Sequence, residues 1–205
     1  EELHIAFLNS QFNFNSKELK RVKSKHYLKE IGAVYTLKSI TSEIVHNTIK
    51  NSLNINNNIS ELKCLDFASG TGRFYFEAIE ILKEVYSIDL KDIICKNLYA
   101  IDIDEVALSV LKCKTLSLLD NIDTDIIKAL KSNIINRNAL IPDTSLISVR
   151  TNSFNFSKDF TGIFNNGGFD VVFSNPPYYL LKVNGKRSAL LNGYFSDLKS
   201  KVKSE

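Results

Sequence analysis

The spacing of apolar and polar residues changes character several times along the chain, and each change marks an element. Leu62 to Asp66 is a compact apolar run of strand length, closed by the turn residues Ser69-Gly70-Thr71-Gly72. Apolar positions recur at helical spacing from Phe74 to Glu84, give way to a second strand-like run at Leu98 to Asp102, and return to helical spacing from Glu105 to Leu119. Strand, helix and strand in alternation signal a parallel sheet. Asp123 to Asn133 is predicted as an additional helix, Leu146 to Arg150 as a third strand, and Phe169 to Ser174 as a fourth that runs into Asn175-Pro176-Pro177-Tyr178.

Ahead of the first strand, residues 17–30 (KELKRVKSKHYLKE) have helical composition and a basic excess, and their cluster Lys20, Arg21, Lys23 and Lys25 reads as an exposed helix face. They lead into a short loop, Gly32-Ala33-Val34-Tyr35-Thr36. Thr36 is suited to cap the next helix, LKSITSEIVHNTIKNSL, in which Ile40, Ile44, Val45 and Ile49 recur at helical spacing. The polar stretch Asn54 to Ser60 reads as a loop. The expected fold class is α/β, with a doubly wound, mostly parallel sheet and an N-terminal helical segment. In domain terms this divides the chain into an N-terminal segment over 1–52 and a catalytic domain over 53–205.

With 205 residues and 44% hydrophobic composition the chain can bury one substantial core. Cys64, Cys95 and Cys113 are odd in number and form no CxxC pair, which supports neither a disulfide framework nor a zinc knuckle. They read as reduced, mostly buried thiols. No apolar run approaches the roughly 18 residues of a membrane span, and EELHIAFLNS lacks the features of a signal peptide, so a cytoplasmic location without membrane association is expected. A net charge of +3 permits nucleic-acid binding without announcing it. Glu1 at the start and the absence of Met are what an excised segment of a longer protein would show.

Three stretches carry candidate chemistry. In Asp66-Phe67-Ala68-Ser69-Gly70-Thr71-Gly72, glycines between a strand and a helix let the backbone pass close to a bound ligand, although a purely structural turn would use the same residues. No Gly-Lys-Ser/Thr ending follows, which argues against a phosphate loop. Asp102, in Tyr99-Ala100-Ile101-Asp102-Ile103-Asp104, stands where doubly wound folds set an acid against ribose hydroxyls. Asp104 is the better candidate to cap the following helix.

In Asn175-Pro176-Pro177-Tyr178 two prolines fix an extended turn at the carboxyl end of a strand, where such sheets bind ligands. The amide oxygen of Asn175 and the carbonyl of Pro176 can accept both protons of one exocyclic NH2, turning its nitrogen lone pair towards an incoming methyl group. Tyr178 offers a ring on which a base can stack. A proline turn with a buried tyrosine is the plain alternative. Lys182, Lys186 and Arg187 follow and are suited to phosphate contacts or equally to a solvated loop. His4, His26 and His46 show no ligand spacing, so no metal is expected.

In order and content these motifs resemble the gamma class of amino-methyltransferases, and Gly32-Ala33-Val34-Tyr35-Thr36 is similar to that family's N-terminal cofactor motif. The likeness is to the N6-adenine methylase modules of restriction-modification enzymes, including the type IIG fusions of nuclease and methylase. The resemblance implies a Rossmann-like class I fold, S-adenosyl-L-methionine as cofactor, and adenine flipped out of double-stranded DNA as the target. It implies that Thr36, beside Tyr35, contacts the methionine moiety and that Asp66, Ala68, Gly70 and Gly72 line the cofactor. Asp102 would hold the ribose with Ile103 beside it, and Asn152 would contact the adenine. Asn175, Pro176 and Tyr178 would be catalytic, with Pro177, Lys182 and Lys186 facing the substrate.

Leu37, Phe67 and Thr151 depart from residues usual in the family, without removing a functional group. The family's later motifs and its target-recognition domain are not found before Glu205, and a nuclease or specificity subunit would lie outside this sequence. Other readings stay open: methylation of an RNA base or of a protein glutamine, cytosine N4 in place of adenine N6, or a cofactor-binding module completed by another subunit. The Gly-Ala-Val-Tyr-Thr stretch favours the DNA family.

Overall fold

The computed structural model describes residues 10–15, 18–23, 36–55, 58–142 and 153–176. Strands β1 (Ser10–Asn15) and β2 (Glu18–Lys23) pair antiparallel, with Phe12 opposite Arg21 and Phe14 opposite Leu19. The helix expected over residues 17–30 is thus replaced by strand at 18–23, and Lys20, Arg21 and Lys23 stand on a ladder. The alternating sequence SQFNFN supplies a partner of period two, and pairing with it overrides the modest helical preference of ELKRVK.

Helix α1 (Lys38–Leu53) forms where expected but presents a different face: Thr41, Val45 and Ile49 are buried, while Ile40 and Ile44 are exposed. Thr41 tolerates burial because its hydroxyl donates to the Leu37 carbonyl at 3.0 Å. Nor does Thr36 cap the helix. Leu37 is the capping position, without a side-chain bond. A 3-10 turn at Ile59–Glu61 then leads into β3 (Cys64–Asp66), followed by α2 (Arg73–Glu84), β4 (Leu98–Asp102) and α3 (Glu105–Leu116).

Asp104 caps α3 as expected, accepting from the Val106 and Ala107 N–H groups. Asp123 does the same for α4 (Thr124–Asn133). The third strand of the sheet is β5 (Ile134–Asn136), which the sequence pattern did not announce; Leu146 to Arg150 lies outside the described residues. Short strands β6 (Asn138–Pro142) and β7 (Ser153–Phe154) pair parallel, helical turns α5 (Phe156–Asp159) and α6 (Thr161–Phe164) follow, and β8 (Val171–Phe173) completes the described elements.

The main sheet has the order β5-β4-β3-β8, all parallel, with the first strand of the chain's α/β unit inside it. This is a doubly wound arrangement. Because successive residues of a strand face opposite ways, Cys64, Leu98, Ala100, Val171 and Phe173 join one core with residues of α1 to α4. Leu65, Tyr99 and Ile101 join a second, smaller core closed by Phe154 and Phe160. Among the described residues no helix is long and apolar enough to cross a membrane. The three cysteines are free, but only Cys64 is buried; Cys95 is half-buried and Cys113 exposed, since α3 turns its position 113 to solvent.

The amino ends of β3 and β4 are riveted by two buried amides. A helical turn, Leu90–Asp92, widens into a π-helical segment, Ile93–Asn97, where Asn133 Nδ2 donates to the carbonyls of Ile94 and Cys95 at 3.2 and 3.3 Å. Asn97 Nδ2 donates to the carbonyls of Ser60 and Leu62 at 3.1 and 2.8 Å. Asn97→Ala leaves the Leu62 carbonyl buried without this donor, and is expected to cost about 1–3 kcal/mol, measured as a lower urea midpoint.

Candidate cofactor and catalytic site

Parallel strands bring their carboxyl ends to one edge of the sheet. In register, Asp66 pairs with Ala100 of β4 and with Phe173 of β8. Asp102 therefore stands two residues beyond one partner and Asn175 two beyond the other, which gathers the acid of the turn, the acid of the second strand and the Asn-Pro turn on one edge.

The chain leaving β3 is slung between its two neighbours. The Phe67 N–H donates to the Phe173 carbonyl at 3.2 Å, and the Ser69 N–H to the Ile101 carbonyl at 3.0 Å. Gly70 then donates its N–H to Asp102 Oδ2 at 2.7 Å, while Asp102 Oδ1 accepts from the Asp104 N–H at 2.8 Å. The two glycines of the turn serve different ends. Gly70, at φ +52°, has no atom of the described residues within 4 Å of where a Cβ would stand, so among them open space adjoins its backbone. Gly72, at φ +92°, would set a Cβ 2.8 Å from the Phe76 ring, which lies under the Lys114 ammonium.

Asp66 is 1% exposed, and neither of its carboxylate oxygens has a hydrogen-bond partner among the described residues. The hydroxyls of Ser69, Thr71 and Ser174 are also buried without partners among the described residues, so polar atoms unpaired there gather around one turn. Burial pushes the Asp66 carboxyl well above the usual carboxylate range, and the charge of Asp102 adds to this. Burial also raises Asp102, against which the Asp104 and Gly70 N–H groups work. The arrangement suits a ligand bringing positive charge and hydroxyl donors.

Ile103, next to Asp102, is 65% exposed although apolar. Thr36, at the foot of α1, accepts a hydrogen bond from Asn175 Nδ2 at 3.0 Å, so a residue of the N-terminal motif touches the amide of the Asn-Pro turn. Ala68 is half-buried in the glycine turn, and Pro176 is exposed. Tyr35, Asn152, Pro177, Tyr178, Lys182 and Lys186 lie outside the described residues. Two residues of this edge were missed from sequence. Asn136 Nδ2 donates to the carbonyls of Asp102 and Ile103, and Arg137 pairs with Asp159. Their only signal was the short Ile-Ile-Asn run after α4, too brief to read as a strand. Among the described residues no cluster of three His, Cys, Asp or Glu side chains could hold a metal ion.

Residues 96–204, more than half the chain and spanning both Asp102 and Asn175, match the family model described as Eco57I restriction-modification methylase. The chain belongs to this family. It is therefore an adenine-specific DNA methyltransferase of restriction-modification, with S-adenosylmethionine as cofactor and DNA as substrate. No curated protein matches the methylase. The residues at the sheet edge fit the cofactor: it carries a sulfonium and an ammonium to set against orphaned carboxylate oxygens, a ribose diol to set against an acid, and an adenine ring for an apolar neighbour.

The raised pKa of Asp66 has a defined sign. The folded methylase keeps a proton that the unfolded chain releases above its ordinary value of 3.8. The stability linked to this group is fully present below that pH and is lost as the pH rises towards the raised folded value. Denaturation of the cofactor-free protein across this range is expected to show stability falling with pH, and Asp66→Asn is expected to flatten the fall.

Proposed function

We propose that the described edge of the sheet holds the cofactor and the target amine in line, with Asn175 as the described residue that acts on the amine. The observation that carries this reading is the contact between Thr36 and Asn175, which joins the N-terminal cofactor motif to the Asn-Pro turn. Bound S-adenosylmethionine supplies an electrophilic methyl group on its sulfonium. Asp102 accepts from the ribose hydroxyls, Ile103 packs against the adenine ring, and Gly70 and Gly72 shape the backbone around the ligand, with Ala68 in the same turn and Asp66 behind it. Asn138 and Asn152 are the two candidates for polar contact with the adenine: Asn138 follows the carboxyl end of β5, and Ser153, the residue after Asn152, pairs with it.

Asn175 Oδ1 and the Pro176 carbonyl accept the two protons of the N6 amine of an adenine extruded from double-stranded DNA, while Tyr178 stacks on its ring. An exocyclic amine conjugated with its ring is a poor nucleophile. Acceptors that favour its pyramidal form lower the barrier, because they bind the transition state better than the ground state. Transfer is direct, without a covalent enzyme intermediate. In this reading Pro177, Lys182 and Lys186 serve the DNA substrate, the two lysines as partners for its phosphates.

In this reading the segment 1–52 and the domain 53–205 build one site between them, and sequence choice belongs to a target-recognition domain or subunit outside the chain. A substrate of cellular DNA makes the cytoplasm the site of action. With the full-length protein, Asn175→Ala is expected to abolish tritiated-methyl transfer to adenine while calorimetric affinity for S-adenosylhomocysteine stays within about two-fold. Asp102→Ala is expected to weaken that affinity by roughly ten-fold or more, the equivalent of about 1.4 kcal/mol. Retained transfer by Asn175→Ala would overturn the catalytic assignment.

A further inference from the structure

We infer that Asn136 is a positioning residue of this site, whose side-chain amide clamps the Asp102–Ile103 backbone so that the acid and the apolar side chain are held towards one ligand. The inference rests on reading Asp102 and Ile103 as the residues that hold the adenosine.

The β4–β5 ladder runs out at this point. Asn136 is the last residue of β5 and pairs in register with Asp102, the last residue of β4. Beyond it the chain of β4 turns within two residues into α3, and Asp104 is already engaged as that helix's cap. Among the described residues no strand remains to bond the carbonyls of the turn. Asn136 supplies the donors instead: Nδ2 reaches the Asp102 carbonyl at 3.0 Å and the Ile103 carbonyl at 2.9 Å, and the Arg137 N–H adds a bond to Asp102 at 3.1 Å. Two consecutive carbonyls held by one amide fix the two peptide planes that flank the Ile103 Cα, and with them the direction of the Ile103 side chain and of the main chain that leaves Asp102.

Asp102 is consequently gripped twice. The Gly70 and Asp104 N–H groups hold its carboxylate, and Asn136 holds its main chain. The clamp is itself anchored from behind. Arg137 Nη1 donates to the Asn136 carbonyl at 3.0 Å, and Arg137 Nε donates to Asp159 Oδ1 at 2.9 Å. The Asp159 side chain is only 10% exposed, and its second oxygen accepts the Asn155 N–H at 2.7 Å. With the Arg137 side chain 37% exposed the pair is half-buried, and the charge-assisted bond to a carboxylate largely withdrawn from water is stiffer than one between two exposed groups. The Asn136 amide is not part of either hydrophobic core; Ile134 and Ile135 are the residues of β5 that pack there. Losing the amide should therefore disturb the ligand edge more than the fold.

The test is a double-mutant cycle on the full-length methylase, with S-adenosylhomocysteine affinity measured by calorimetry for wild type, Asn136→Ala, Asp102→Ala and the double variant. The clamp predicts that Asn136→Ala weakens affinity on the order of ten-fold, that the double variant loses less than the sum of the two single losses, and that the loss in kcat/KM for S-adenosylmethionine is carried by KM. Asn136→Asp, which keeps the shape but replaces donor by acceptor, is expected to lose at least as much. Wild-type affinity in Asn136→Ala beside a weakened Asp102→Ala overturns the clamp alone, as does strict additivity in the double variant. Unchanged affinity in Asp102→Ala overturns the adenosine reading, and the clamp falls with it. Should Asn136→Ala fail to fold, Asn136→Ser, which retains one donor, carries the same cycle with a smaller expected loss.

Discussion

The hydrogen bond from the Gly70 N–H to Asp102 Oδ2, 2.7 Å long, joins the turn after the first sheet strand to the end of the second. Most of the ligand edge depends on this joint. It sets how far the glycine turn leans towards β4, and it holds the one carboxylate of the pair that is partly open to solvent. It also keeps that negative charge close to the buried Asp66, where it adds to the burial that disfavours ionisation of Asp66. A fold that tolerates two such acids side by side has organised them for a partner it does not itself provide.

The second joint is between elements far apart in sequence. α1 packs against α2 and β8, and this packing brings Thr36 at its foot to Asn175 beyond the end of β8. With Nδ2 directed to the threonine hydroxyl, the donor half of the amide is committed to the protein. The acceptor half is the one an amine substrate requires. The helix ahead of the sheet thus contributes to the orientation of the Asn175 amide as well as to the packing of the core.

What the sequence revealed was whatever is decided locally. The runs at Leu62 to Asp66 and Leu98 to Asp102, the glycine turn, the Asp104 cap and the Asn-Pro turn each carry their physical cause within a few residues. What it concealed depends on distant partners. Residues 18–23 became strand because 10–15 pair with them, and the buried stripe of α1 runs through Thr41 because β8 and α2 lie on that side. Asn136 was invisible for the same reason: its side chain acquires a role only when β5 is laid against β4. The polar residues that shape an edge are the hardest to read, since no periodicity advertises them.

Gly72 sits so tightly against Phe76 that no side chain fits between them, whereas Gly70 looks onto open space. The adjustable part of the turn is therefore not a glycine. Phe76 is a strut behind it, and its ring, wedged under Lys114, fixes how firmly the turn is pressed forward. If the turn cradles the cofactor as proposed, shortening that strut would loosen it from the rear, a route to bulkier cofactor analogues that leaves the residues of the turn itself unchanged.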